Sequence, residues 1–177
     1  MFKLNANQLT NEVLQQYRTD RAYGCYTRNC LELEIWPDVA GRVRYVVFCD
    51  IDQMHAANDA YGYAVVDGKI RRAINGREAD IVVARWYSGD ELVFLILDGQ
   101  RMGDPIKFAG RIQARFLKEG LSATFGITQV QAGDLAPQMV VGRAARLVQL
   151  AKRAGETASI HSDVAGLPDL SVVSQPV

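Results

Sequence analysis

The stretch Tyr45-Val46-Val47-Phe48-Cys49 is a continuous apolar run that ends in Asp50-Ile51-Asp52. An uninterrupted run of this length reads as a strand buried on both faces. Such a strand needs a covering layer on each side, so the rest of the chain must supply a sheet with flanking helices. At its end the strand releases two carboxylates. Charge where a buried strand surfaces suits a metal better than it suits packing.

The 177 residues fit one domain, or one domain with appendages. At 49% hydrophobic and 23% charged, the composition supports a real core. Twenty basic residues balance 20 acidic ones, so no global charge draws the chain to nucleic acid or to an anionic membrane. No stretch approaches a membrane span, and no signal-peptide pattern opens the sequence. Cys25, Cys30 and Cys49 are odd in number and not spaced as a zinc site. Reduced thiols in a cytoplasmic protein are expected.

Residues 5–19 form an amphipathic pattern, with Leu9, Val13, Leu14 and Tyr17 in one stripe. That helix either packs on the domain or serves a dimer contact. Gly24 suggests a turn, residues 30–35 a helix or edge strand, and Pro37-Asp38 with Gly41 a loop. After the strand over 44–49, a helix over 52–60 stops at Gly62, and Asp67 is the expected N-cap of the next. Residues 81–87 and 92–97 form a hairpin around Ser88-Gly89-Asp90-Glu91. A helix after Pro105, a strand over 121–130 and a helix over 138–153 follow. From Thr157 onward small and polar residues predict a weakly ordered tail. The order describes an α+β fold: a palm-like, ferredoxin-like plait with a mainly antiparallel sheet flanked by helices. Its divisions are a helix over 1–19, a domain over 20–160 and a tail over 161–177.

In such a plait the first strand and the hairpin are neighbours. Asp50, Asp90 and Glu91 can then converge at one sheet edge. Carboxylates and a backbone carbonyl, with room for phosphate oxygens, form the oxygen-rich site that Mg²⁺ prefers. Two metals held this way activate an attacking hydroxyl and stabilise leaving pyrophosphate. The competing use of these acids is turn capping, which fits Asp52 and Asp59 equally well.

The segment from Asp50 through Asn58, Tyr61-Gly62-Tyr63 and Asp67 resembles the first half-site of GGDEF domains, the diguanylate cyclases. Ser88-Gly89-Asp90-Glu91-Leu92 is similar to the GGDEF motif itself. Asp20…Gly24…Arg28, Ser122…Phe125-Gly126-Ile127 and Ala151-Lys152-Arg153-Ala154-Gly155 resemble further elements of that family, in the same order. The resemblance implies a nucleotidyl cyclase fold over most of the chain. It implies that Asp50, the Ile51 carbonyl and Asp90 bind Mg²⁺ or Mn²⁺, with Glu91 as a further ligand or proton acceptor. It implies that Asn58 and Asp67 read the guanine edge, with His55, Ser88 and Gly89 also lining the substrate, and that Lys152 holds phosphates. The implied reaction joins two GTP into cyclic di-GMP and releases pyrophosphate, each subunit of a homodimer holding one nucleotide. Membrane and nucleic acid are not among the implied partners; a sensor or regulator acting in trans is.

The sequence also departs from that pattern. Ser88 replaces a glycine, His55 a lysine, Tyr63 a histidine, and Glu156 a phosphate-binding arginine. Arg77-Glu78-Ala79-Asp80 matches the family's product-inhibition motif in letters but stands two residues too far from Ser88. Arg77 and Asp80 are therefore either an inhibitory site or part of a solvated turn. Two further functions stay open beside the cyclase. One is a degenerate domain that binds GTP or a cyclic dinucleotide as a regulatory module; the other is a cyclase with a different cyclic nucleotide product.

Overall fold

The computed structural model describes residues 6–76, 80–87, 89–99 and 104–165. It opens with helix α1 (Ala6–Arg18). Val13 and Leu14 of its stripe are exposed, so the domain does not cover them; the Leu9 side chain lies outside the described residues. Residues 28–42 are helical throughout: α2 (Arg28–Cys30), a π turn (Leu31–Ile35), α3 (Trp36–Val39) and a 3₁₀ turn (Ala40–Arg42). The expected loop at Pro37 is thus corrected. Pro37 falls in the first turn of α3, where a missing N–H leaves no hydrogen bond unmade.

Strand β1 (Val43–Ile51) leads into α4 (Met54–Tyr61) and α5 (Tyr63–Ile74). The hairpin follows as β2 (Ile81–Arg85) and β3 (Glu91–Leu97). Then come α6 (Pro105–Lys118), β4 (Ala123–Gln129), α7 (Pro137–Arg153) and β5 (Ile160–Ser162). The strand order is β2-β3-β1-β4-β5. All pairs are antiparallel except β4 with β5. The result is the expected palm-like α+β sheet with helices on both sides.

The central place of β1 explains its apolar run. Alternate residues of a strand face opposite sides. Val47, Cys49 and Ile51 join a core with Ile70 of α5 and Phe116 of α6. Val46 and Phe48 join a second core with Trp36 and with Val140, Ala144 and Val148 of α7. On the α7 side the backbones approach closely at Gly126. A Cβ there would lie 2.0 Å from the Ala144 carbonyl oxygen, so only glycine lets α7 settle this near β4.

Two further expectations are overturned. Asp67 is not an N-cap, because α5 begins at Tyr63 and Asp67 lies inside it. Gly62, at φ +82°, takes the left-handed conformation that glycine tolerates and turns the chain without a loop. The polar stretch after Thr157 is not all tail. Backbone bonding to the β4 edge orders it, as in Phe125 N–H to Ser159 C=O at 2.8 Å. His161 and Ser162 therefore belong to the sheet. Apolar patterning cannot reveal a strand held mainly by its main chain. Residues 166–177 of the expected tail lie outside the described residues.

Candidate metal and nucleotide site

Asp50 pairs directly across from Glu91. The Ile51 N–H donates to the Asp90 carbonyl at 3.0 Å. The end of β1 and the hairpin turn are thus fastened main chain to main chain, and Asp50 and Asp90 come to one sheet end. Lys152, in the last turn of α7, follows Ala144 and Val148 along the face packed on the sheet. Its ammonium donates to Asp50 Oδ1 at 2.5 Å and lies 3.5 Å from Asp52 Oδ1.

Burial pushes the Asp50 carboxyl above its ordinary pKa of 3.8. The Lys152 hydrogen bond and charge pull it back, while the charges of Asp90 and Asp52 push it further up. This is a carboxylate held among other carboxylates, and a cation relieves it. Asp52 differs. It is buried and accepts from Thr124 Oγ1 at 2.8 Å, Ala158 N–H at 2.9 Å and Ser122 Oγ at 3.1 Å. Its oxygens are occupied in joining β1 to β4 and to the segment before β5.

Glu91 turns back over the hairpin, where its Oε2 accepts from the Tyr87 N–H at 3.3 Å. Asn58 is buried in α4, and its Oδ1 has no hydrogen-bond partner among the described residues. Asp67 is half-buried on α5, and its charge acts on Tyr23 and Arg85. His55 stands on the solvent side of α4, 3.9 Å from Asp59. Glu156 is drawn toward β5, 3.2 Å from His161 Nε2. Gly89 lies in the turn beside the Arg85 guanidinium. Ser88 and Arg77 lie outside the described residues. The Asp80 carbonyl accepts from the Leu97 N–H, at the end of the hairpin opposite Asp90.

Three residues that the sequence reading did not single out as site residues join this constellation. Arg85 bonds Asp20 Oδ2 at 2.9 Å. Its guanidinium sits 4.3 Å from the centroid of the Tyr23 ring. Tyr23 is buried, and its hydroxyl donates to the Gly89 carbonyl. The available signal was Arg85 itself, a charge inside an otherwise apolar strand.

Among the described residues no three His, Cys, Asp or Glu side chains gather as a metal site. A smaller donor set is two carboxylates, Asp50 and Asp90, close enough that the charge of Asp90 acts on Asp50. That set suits Mg²⁺, which keeps several waters and binds through one or two carboxylates plus phosphates.

No protein-family model matches the chain, and no curated protein matches it in sequence. Solved structures do. The chain has the fold of GGDEF domains. It is similar to diguanylate cyclase SiaD of Pseudomonas aeruginosa, solved with its activator SiaC, at 22% identity and a TM-score of 0.67. That likeness covers 88% of this chain and 66% of SiaD. It is similar to the coiled coil and GGDEF domain of DgcB from Caulobacter crescentus, solved with c-di-GMP, at 18% identity and a TM-score of 0.69, covering 88% and 91%. It is also similar to the S helix-GGDEF-EAL region of Vibrio cholerae LapD, bound to c-di-GMP, at 16% identity and a TM-score of 0.67, covering 93% and 41%. No helix among the described residues is long and apolar enough to cross a membrane.

Proposed function

We propose that the chain is a GGDEF-type nucleotidyltransferase that condenses two GTP into cyclic di-GMP, with release of pyrophosphate, between two copies of the domain. The observation that carries this reading is the meeting of Asp50, Asp90 and Lys152 at one sheet end. Asp50, Asp90 and the Ile51 carbonyl would hold Mg²⁺ or Mn²⁺. When bound, the metal supplies Lewis-acid polarisation of phosphate oxygens and of the attacking hydroxyl.

The chain's own residues do the rest. Lys152 holds the carboxylates together before substrate arrives, then offers its ammonium to the β- and γ-phosphates. Glu91 stands beside Asp90 as proton acceptor for the 3′-hydroxyl. Asn58 Oδ1 is a buried acceptor with no partner among the described residues. A buried polar atom left unpaired costs stability, and the guanine edge can repay it by donating N–H. Asp67 accepts the guanine N1–H and N2–H₂, which adenine lacks in that pattern.

A second reading, a domain that binds nucleotide for regulation without turnover, rests on Glu156. It stands where the family has a phosphate-binding arginine, and here its Oε2 lies 3.2 Å from His161 Nε2. The phosphate grip then depends on Lys152 with one cation fewer.

Mass spectrometry of products from mixed nucleotides with Mg²⁺ or Mn²⁺ separates these readings. Cyclic di-GMP from the wild type and none from Asp90→Ala supports the cyclase. GTP binding without product supports the regulatory module, and a product that contains adenine corrects the base choice.

A further inference from the structure

Gly89 immediately precedes Asp90, and the carbonyl of Gly89 is held by a side chain from a distant part of the sequence. Tyr23 lies in the loop before α2. Its side chain is among the largest that are fully buried in the protein. Its hydroxyl crosses from that loop to the hairpin turn and donates to the Gly89 carbonyl oxygen.

Asp20 and Arg85 brace Tyr23. Asp20 Oδ1 accepts from the Tyr23 N–H at 2.9 Å, and Asp20 Oδ2 accepts from Arg85 Nη1 at 2.9 Å. Arg85 in turn lies over the ring. Gly24, at φ +71°, makes the bend that lets the loop fold back in this way. Asp20, Arg85 and Tyr23 close a ring of contacts, and the Tyr23 hydroxyl extends it to Gly89. The phenol keeps the proton that it donates. Burial raises its pKa above the ordinary 10.0, opposed by the Arg85 charge and reinforced by Asp67, Asp20 and Asp90.

We infer that Tyr23 is a positioning residue: its hydroxyl clamps the Gly89 carbonyl and so holds the hairpin turn, and Asp90 with it, at the sheet end that carries Asp50. The inference rests on the proposed function for its meaning, since it assigns Asp90 to the metal. The hydrogen bond and its effect on the turn can be tested without that assignment. The turn is anchored on one side by the Ile51 N–H to the Asp90 carbonyl. Tyr23 anchors it on the other.

The test is Tyr23→Phe, which keeps the ring and its Arg85 contact but removes the donor. Amide hydrogen exchange is measured on the metal-free protein. Exchange through 89–91 rises ~10-fold while β1, β4 and α7 keep their protection. Mn²⁺ affinity, read by electron paramagnetic resonance on protein with GTP, falls ~10-fold, as when a group supporting a metal ligand is lost. In turnover, kcat falls while KM for GTP holds. Unchanged exchange through 89–91 overturns the clamp. Raised exchange with wild-type Mn²⁺ affinity also overturns the positioning role, leaving Tyr23 a packing residue. Failure of the wild type to bind Mn²⁺ counts against the proposed function instead, and the exchange result still decides the clamp.

Discussion

Asp50 and Asp52 leave β1 two residues apart, and both reach the Lys152 ammonium. Asp52 accepts from two hydroxyls and a main-chain N–H. Asp50 faces Lys152 and the charges of its acidic neighbours, and burial raises its pKa. One carboxylate has been built into the sheet; the other is kept where ionisation is costly and a cation is welcome. Asp52 spends its bonding capacity on stability. In the cyclase reading, Asp50, bonded to Lys152 meanwhile, keeps its capacity for a metal that arrives from outside. Polar groups that a fold leaves short of partners are the ones to associate with ligands.

The comparison breaks most visibly in activity. In the cyclase reading, Asp50→Asn lowers turnover by ~1,000-fold or more, on the order of 4 kcal/mol in transition-state stabilisation. Its stability to urea stays level or rises, because the substitution removes a charge that burial disfavours. A stability loss as large as the one next described would place Asp50 with Asp52 as a structural acid.

Asp52→Ala is expected to cost ~3 kcal/mol of folding stability, since it strands Thr124, Ser122 and the Ala158 N–H together. Equilibrium unfolding in urea measures it. The effect should be cooperative with loss of β5, because Ala158 precedes that strand and is bonded through Asp52.

Lys152→Met sharpens the same contrast at a smaller scale. Without the ammonium, Asp50 and Asp52 lose a shared cation, and the metal-free protein loses ~1–2 kcal/mol. Mn²⁺ should restore a larger share of stability in this variant than in the wild type, because the metal then has no ammonium to displace. Thermal unfolding with and without Mn²⁺ reads this. Equal stabilisation of both proteins would show that Lys152 and the metal do not share Asp50.

The architecture was legible because β1 announces itself. An apolar run with no polar alternation requires two cores, and Val46 and Phe48 against Val47, Cys49 and Ile51 supply them. The meeting of Asp50 with the hairpin followed from the same strand order. What could not be read depends on single backbone events or on distant partners. Gly62 removes the loop before α5, so Asp67 moves from a cap to a helix interior. Ile160–Ser162 joins the sheet by main-chain bonds that carry no side-chain pattern. Tyr23 meets Gly89 across 66 residues of sequence. His55 aligns with a site position by motif, and the structure adds only that it is exposed on α4, 3.9 Å from Asp59.

A third acid gives a control for the pH behaviour of these carboxylates. Asp134 lies far from the site in the turn before α7. Arg143 grips it with two hydrogen bonds, at 2.6 and 2.7 Å, and the Gln131 N–H adds a third at 2.7 Å. The Arg143 hydrogen bonds, opposed by burial, hold its pKa below the ordinary 3.8. A depressed folded-state pKa contributes stability that is present above 3.8 and lost as pH falls through the lower folded value. Asp134→Asn should therefore be ~1–2 kcal/mol less stable than wild type at neutral pH. That gap should close as pH falls through the carboxylate range. Asp50 has the opposite sign: its raised pKa means that ionisation costs stability as pH rises through the folded value. In metal-free protein, Asp134→Asn should therefore fall behind the wild type as pH rises toward 3.8, and Asp50→Asn should gain on it as pH rises beyond 3.8. Urea titrations of the two variants at matched pH test both signs at once, and parallel behaviour would mean that the two acids sit in equivalent environments.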